Sequence, residues 1–184
     1  MRTLYDADHE AFRESFASFV AKEVSPHYLE WEEAGIAPRE MYAAAGQYGF
    51  VGMAIPEQYG GGGTDDFRFN AILSEEFNAA GIGGAGLGLT LHNDICTPYF
   101  IEYCTDEQAD RWMPGIASGE LITAVAMTEP GTGSDLAGIA TTELGSGLEP
   151  LAARPFEENQ MLRVNSDDWP AFFLPLPLEQ GSER

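Results

Sequence analysis

Apolar side chains recur at helical spacing through most of the first 118 residues. Over residues 6–24 they form one stripe opposite a row of acidic residues, which predicts a helix, and Pro26 lies where that helix would stop. The apolar members of this stripe are Phe12, Phe16, Phe19 and Val20. Pro38 at a first-turn position and Gly49 at a C-cap position frame a second, shorter helix.

Glycines and capping residues divide the next region into further helices. Four glycines at 60–63 indicate a flexible turn, after which Thr64 or Asp65 can cap a helix that ends at Gly81. The following segment, "GIGGAGLGLTLHNDI", is rich in glycine and still apolar. Because a glycine inside a helix costs about 1 kcal/mol relative to alanine, this composition predicts a close approach of the helix backbone to a neighbour.

A proline and a capping motif mark the last two helices. Pro98 either kinks the glycine-rich helix or opens the helix after it. The residues "TDEQ" at 105–108 predict a capping box, in which the Thr105 hydroxyl accepts an amide three residues on and Gln108 reaches back. The helix that follows runs to about Ala117.

The pattern changes from helical spacing to β-forming residues at residue 121. Ile122, Thr123 and Val125 predict a first strand over residues 121–128. Residues 143–184 contain four prolines from position 155 onward and no sustained periodicity, which predicts weak structure.

Helices followed by a strand predict an α+β fold that is mostly α, because a Rossmann fold would alternate strands with helices. We expect a helical domain over residues 1–120 and the start of a β-domain over residues 121–142. The remaining residues form a divergent tail.

The charge balance narrows the possible ligands. Nine Lys and Arg face thirty Asp and Glu, for a net charge of −21, which repels nucleic acid and anionic membranes. A phosphate-bearing ligand would therefore be held by backbone amides, hydroxyls or the arginines of a partner. No run approaches the roughly 18 apolar residues of a membrane span, and the N-terminus lacks the apolar core of a signal peptide, which predicts a cytoplasmic protein.

The two cysteines suggest neither a disulfide nor a metal site. On a helix, Cys96 and Cys104 would lie about 12 Å apart along the axis, too far to bridge. No histidines accompany them at the spacing of a zinc site, so no metal is expected, and both are predicted to be small buried hydrophobes.

The glycine-rich stretch "AMTEPGTGSDLAG", residues 126–138, follows the predicted strand and is a candidate binding loop. It offers hydroxyls and free amides around a tight turn, which suits an anion such as a flavin or nucleotide pyrophosphate. It is not a phosphate-binding loop of the Walker type, because the lysine is missing, nor the dinucleotide motif that precedes a helix. On spacing alone, an ordinary loop rich in turn residues explains it equally well.

Longer stretches resemble the acyl-CoA dehydrogenase family. "TAVAMTEPGTGSDLAGIATT" is similar to the family's first signature. "FVAKEVSPHYLEWEEAGIAPREMYAAAGQYGFVGMAIPEQYGGGG" is similar to its opening helices, and "LHNDICTPYFIEYCTDEQADRWMPGIASGE" to the connection that leads to the signature. The resemblance covers residues 4–142 in the family's order.

The resemblance implies an FAD-dependent enzyme that oxidises a fatty acyl-CoA to the trans-2-enoyl-CoA in fatty acid β-oxidation. It places Thr128 at the flavin ring edge, and Gly133 and Ser134 near the pyrophosphate, with Ser134 also against the acyl-CoA substrate. The glycine-rich helix, 84–91, falls where relatives wall the fatty-acyl cavity. The full set of implied flavin-binding residues is Val125, Ala126, Met127, Thr128, Gly131, Thr132, Gly133 and Ser134.

Other reactive or aromatic side chains are expected to be structural. In the family the catalytic base comes from a later helical domain, so Glu129 is not expected to be the base, and no catalytic residue is assigned. Asp135 is predicted to bond nearby amides and His92 to pack inside the helices. Trp31 and Trp112 are predicted to lie in the core.

The resemblance stops near Thr142, before the family's remaining strands and its C-terminal helices, which implies a truncated chain that is inactive alone. Family membership also implies electron-transfer flavoprotein as electron acceptor, and a homo- or hetero-oligomer if the chain is functional. One alternative is a non-catalytic partner subunit, or a remnant, that docks on a full-length flavoprotein homologue. Acyl-CoA oxidases and flavin monooxygenases share the scaffold and remain alternatives for the chemistry.

Overall fold

The structure, a computed structural model, describes residues 4–125, 133 and 134. The chain divides into two units, Met1–Thr123 and Ala124–Arg184. Seven α-helices occur in the described part of the first unit. They are α1 (Ala7–Phe19), α2 (Tyr28–Ala34), α3 (Arg39–Gln47), α4 (Arg68–Ala79), α5 (Gly83–Leu91), α6 (Thr97–Tyr103) and α7 (Asp106–Ser118).

Shorter turns complete the helical unit. A π-helical turn, Val20–Val24, extends α1, and a second, His92–Cys96, joins α5 to α6. Glu57–Tyr59 forms a single 3₁₀ turn. The prediction of a helix over residues 6–24 is therefore confirmed, as is the second helix, with Gly49 at a φ of 76° just beyond its end.

The sequence pattern missed α2. This helix buries none of its residues, so its sequence lacks the periodic apolar positions that predict a helix. Gly35, at a φ of 70°, supplies its C-cap. Trp31 on this helix is only partly buried, so the prediction of a core position for it is wrong.

An aromatic cluster joins α1 to α4 at the centre of the helical unit. Phe16 is fully buried and meets the rings of Phe50 and Phe77 edge-on, at centroid distances of 4.9 and 5.1 Å. Such edge-to-face pairs add to the roughly 1.5–3 kcal/mol that burying a phenylalanine provides. The residues of the first predicted apolar stripe thus form the core around which the other helices pack.

The start of α4 differs in detail from the prediction. The Thr64 hydroxyl accepts the amide of Asp66, and the Asp66 carboxylate accepts the amide of Arg68, where the helix begins. Neither Thr64 nor Asp65 is the N-cap, because the turn at Phe67 places the helix start two or three residues later. The predicted end holds, with Gly81 at a φ of 72°.

The four glycines at 60–63 form a packed turn and not the predicted flexible one. The amides of Gly62 and Gly63 donate to the carbonyls of Gly52 and Ile55 at 3.2 and 2.9 Å. A Cβ on Gly61 would collide with the carbonyl oxygen of Ile55. Glycine is therefore needed at position 61 because two backbone segments touch here, and at positions 60 and 63 because the backbone has a positive φ.

Close packing also explains the glycines of α5. A Cβ on Gly86 would meet the Phe77 ring of α4 at 2.7 Å, and one on Gly88 would collide with the Tyr42 hydroxyl of α3. The predicted close approach of this helix is confirmed. Pro98 lies in the first turn of α6, so it opens that helix, after the π-helical turn.

The predicted capping box begins α7. The Thr105 hydroxyl accepts the amide of Gln108 at 3.3 Å, and the Gln108 side chain accepts the amide of Thr105 at 2.9 Å. Trp112 on this helix is buried, as predicted.

We expect Thr105→Ala to lower the free energy of unfolding by about 1 kcal/mol, because the amide of Gln108 loses its acceptor. Urea denaturation measures this change. Thr105→Ser keeps the hydroxyl and is the matched control, so it should stay close to the wild type. Equal losses in both variants would contradict a role for the capping bond.

The predicted strand is not formed where the structure describes it. Residues 121–125 have no regular secondary structure, and residues 126–128 lie outside the described residues. Strands require partner strands, and no strand occurs among residues 4–125. The β-forming residues Ile122 and Thr123 are buried against the helices instead.

Candidate functional site

The segment that leaves α7 leads to the predicted flavin loop. Gly119 ends α7 with a φ of 77°, and its amide donates to the carbonyl of Ile116 at 3.3 Å. The amide of Leu121 donates back to the carbonyl of Gly115 at 2.9 Å. The carbonyl of Glu120 accepts a bond from Arg39 at 3.0 Å. The chain is thus tied to the helices along 119–121.

The side chain of His92 hydrogen-bonds Thr123, which lies further along this segment. Its side chain is completely buried. Its Nδ1 lies 3.2 Å from the amide nitrogen and 2.9 Å from the hydroxyl oxygen of Thr123, while Nε2 lies 3.1 Å from the carbonyl oxygen of Ile116. The carbonyl of His92 in turn accepts the Thr97 hydroxyl at 2.7 Å.

These partners define the protonation of the ring. A carbonyl oxygen only accepts, so Nε2 carries the proton and donates it to Ile116, while Nδ1 accepts from Thr123. Burial lowers the pKa of His92 from 6.5 to about 4, because the charged form loses its hydration. His92 is therefore a neutral, fully bonded packing residue, as the sequence predicted.

The two cysteines differ in burial, and Cys96 lies in the same π-helical turn as His92. Cys96 is buried, and burial raises the pKa of its thiol, while the Thr123 hydroxyl acts to lower that pKa. Cys104 is only partly buried, so the prediction of a buried hydrophobe is confirmed for one cysteine and wrong for the other. Both thiols are free.

Three of the predicted flavin-binding residues lie in the described part of the chain. Val125 is half-buried, and Gly133 and Ser134 are exposed. A Cβ on Gly133 would meet no atom within 4 Å, so the backbone there is open to a ligand. These features fit a site built from amides and a hydroxyl. The others, Ala126, Met127, Thr128, Gly131 and Thr132, lie outside the described residues, as do Glu129 and Asp135.

Several of the chain's nine cations are used to hold the fold. Arg13 on α1 donates to Glu75 and Glu76 on α4, both at 2.6 Å, and the Glu76 carboxylate raises the pKa of Arg13. Arg68 pairs with Asp66 and keeps the pKa of that carboxyl well below its usual range. Arg13 and Arg68 are thus committed to carboxylates, and the expectation that amides, hydroxyls or the arginines of a partner would hold a phosphate stays a prediction.

Two buried polar contacts were not foreseen in the sequence. The Asn93 side chain accepts the amide of Gly52 at 2.9 Å and donates to the carbonyl of Phe50 at 2.8 Å, so it fixes the loop after α3. Thr123 acts similarly with His92. Both pairings join residues far apart in the chain, and no local pattern encodes them.

A groove of about 310 Å³ lies between α2 and the start of α5. Its walls include Tyr28, Trp31, Glu32, Ile36, Gly84 and Ala85. The half-buried Trp31 lines this groove and not the core.

Two classes of site are not found among the described residues. No group of three or more His, Cys, Asp or Glu side chains there could hold a metal ion. No helix in that part is long and apolar enough to cross a membrane.

Comparison with known families identifies the helical unit. A model of the N-terminal domain of acyl-CoA dehydrogenases matches residues 6–120. The chain belongs to the acyl-CoA dehydrogenase family.

Individual relatives agree with this assignment. The mitochondrial long-chain specific acyl-CoA dehydrogenase of Mus musculus is 42% identical over 149 residues, which are 81% of this chain and 34% of that protein. The chain spans about a third of the length of the curated relatives it matches.

Solved structures share the fold. An acyl-CoA dehydrogenase from Geobacillus kaustophilus superposes with a TM-score of 0.70 at 45% identity, over 76% of this chain and 36% of that one. An acyl-CoA dehydrogenase from Bacillus anthracis complexed with FAD gives a TM-score of 0.64 at 29% identity, over 74% of this chain and 23% of that one.

Proposed function

We propose that this chain supplies the helical domain and the flavin-facing loop of an FAD-dependent acyl-CoA dehydrogenase that acts on fatty acyl-CoA. The match of residues 6–120 to the family's N-terminal domain carries the proposal. The segment 123–142, with its resemblance to the family signature, follows directly in the same chain.

The proposed flavin site uses backbone and hydroxyl groups. Gly133 leaves space for the pyrophosphate, and the exposed Ser134 hydroxyl would donate to it or to the pantetheine of the substrate. Thr128 would hydrogen-bond the ring edge. When bound, FAD supplies the hydride acceptor for the β-hydrogen of the substrate. The glycine-rich part of α5, residues 84–91, would wall the fatty-acyl cavity.

The 184-residue chain is proposed to lack turnover by itself. Dehydrogenation needs a base within hydrogen-bond reach of the substrate α-carbon. The family's base lies in a later helical domain, and the resemblance to this chain covers only residues 4–142. Electron-transfer flavoprotein as acceptor, assembly into an oligomer and a cytoplasmic location belong to the same proposal.

Flavin binding by the purified chain tests the cofactor site. We expect Gly133→Val to weaken FAD binding about tenfold, which corresponds to about 1.4 kcal/mol, because the new side chain occupies the ligand's space. The melting temperature should not change, since no protein atom lies within 4 Å of the added Cβ. Quenching of flavin fluorescence measures the Kd.

Gly83→Val is the matched control, because a Cβ on Gly83 also meets open space, at the start of α5. It should leave the FAD affinity at the wild-type value. Absence of FAD binding by the wild type would contradict the cofactor proposal, and dye reduction with acyl-CoA at a normal enzymatic rate would contradict the lack of turnover.

The second candidate is a non-catalytic subunit that docks on a full-length flavoprotein homologue. Co-purification with such a homologue, together with no dye reduction by this chain alone, would support it.

A further inference from the structure

We propose that His92 is a positioning residue, which fixes Thr123 and thereby the point where the chain leaves the helices for the flavin-binding residues. Val125, the first of these residues, follows Thr123 by two positions. The inference rests on the proposed function of the loop. The hydrogen bonds that carry it lie entirely within the helical unit.

The position of His92 in the fold makes this role possible. It begins the π-helical turn His92–Cys96, where the register changes between α5 and α6. Both the Thr97 amide and the Thr97 hydroxyl donate to the His92 carbonyl, so the backbone that carries the ring is held on its own side. Such turns place a side chain where a regular α-helix would not.

The ring then connects two segments that share no regular hydrogen-bond ladder. Nε2 donates to Ile116 in the last turn of α7, and Nδ1 accepts from Thr123, seven residues later. Residues 121–125 have no regular secondary structure, so they have no strand partner within the described residues. The His92 side chain supplies the hydrogen bond that a neighbouring strand would otherwise give to the Thr123 amide. The Thr123 hydroxyl also lies 2.9 Å from Nδ1 of His92, and Cys96 is buried in the same π-helical turn.

The two ring nitrogens have separable tasks. The amide of asparagine reaches about as far as Nδ1, and that of glutamine about as far as Nε2. His92→Asn therefore keeps an acceptor for the Thr123 amide and loses the bond to Ile116. His92→Gln keeps a donor to Ile116 and loses the acceptor for Thr123.

The experiment compares both variants in the full 184-residue chain. For His92→Gln we expect exchange of the Thr123 amide hydrogen to rise about tenfold or more, and the Kd for FAD to rise about tenfold, from loss of the buried acceptor. For His92→Asn we expect both values within about threefold of the wild type, since the acceptor remains. Both variants should lower the melting temperature, because His92→Asn loses the buried bond to Ile116 and His92→Gln loses the buried acceptor for the amide and hydroxyl of Thr123.

Equal acceleration of Thr123 exchange by the two variants, or none by either, would overturn the proposal, because a purely structural histidine would not separate them. Unchanged FAD affinity in His92→Gln beside faster exchange would also overturn the positioning role. If the wild type binds no FAD, the proposed function fails, and the exchange rates alone then decide whether His92 holds Thr123.

Discussion

Gly119→Ala is expected to reduce the free energy of unfolding by about 3 kcal/mol or more, which is the largest effect predicted for a glycine substitution in this chain. Gly119 has a φ of 77°, which costs an alanine about 1 kcal/mol or slightly more. In addition, the new Cβ would collide with the carbonyl oxygen of Tyr42 and lie 2.7 Å from its carbonyl carbon. Those atoms belong to the backbone of α3, so relief requires α3 and α7 to move apart.

Gly35→Ala is the matched control for this substitution. Gly35 also caps a helix with a positive φ, of 70°, but a Cβ there would meet no atom within 4 Å. The control should therefore lose only the backbone cost of about 1 kcal/mol. Urea denaturation of both variants measures the difference, and equal losses would show that contact between α3 and α7 does not require the glycine.

Acid is expected to destabilise the helical unit through His92, by about 3 kcal/mol between pH 6.5 and pH 4. The folded pKa of about 4 lies below the ordinary 6.5, because burial excludes water from the charged ring. Between these values the unfolded chain binds a proton that the folded chain does not. Stability from this group is thus present above pH 6.5 and is lost as the pH falls towards 4.

His92→Gln removes this titration. The stability difference between wild type and variant should be largest near pH 7 and should shrink as the pH falls, since only the wild type loses the contribution of a buried neutral imidazole. Urea denaturation at several pH values measures it. His27→Gln, at an exposed imidazole, controls for the general effect of removing a histidine. A difference that stays constant with pH would refute the role of His92.

The helices that bury an apolar stripe were predictable, and those that do not were not. The stripe of α1 follows directly from the positions of its phenylalanines, whereas α2 buries no residue and has no comparable pattern. The capping box at Thr105 was also predictable, because its two partners lie only three residues apart in the sequence. The strand prediction failed over 121–125 because β-forming residues also suit a buried extended segment.

The candidate site was only partly readable from the sequence. The motif at 126–138 indicated the candidate loop, through its resemblance to a family signature. The anchor for that loop depends on His92 and Thr123, which are 31 residues apart, and on a π-helical turn whose register no hydrophobic period reveals. The glycines of 60–63 show the same limit, because the sequence signals a turn and only the packing shows that a side chain at Gly61 or Gly62 would strike backbone atoms.

The bonding of Thr123 has a consequence for the order of folding during synthesis. Among residues 4–125, the amide and the hydroxyl of Thr123 bond to His92, which precedes Thr123 in the chain. The helical unit can therefore be assembled as it emerges from the ribosome, N-terminal residues first, without waiting for later residues. Thr123 would then be fixed against the helices before the residues that follow it fold.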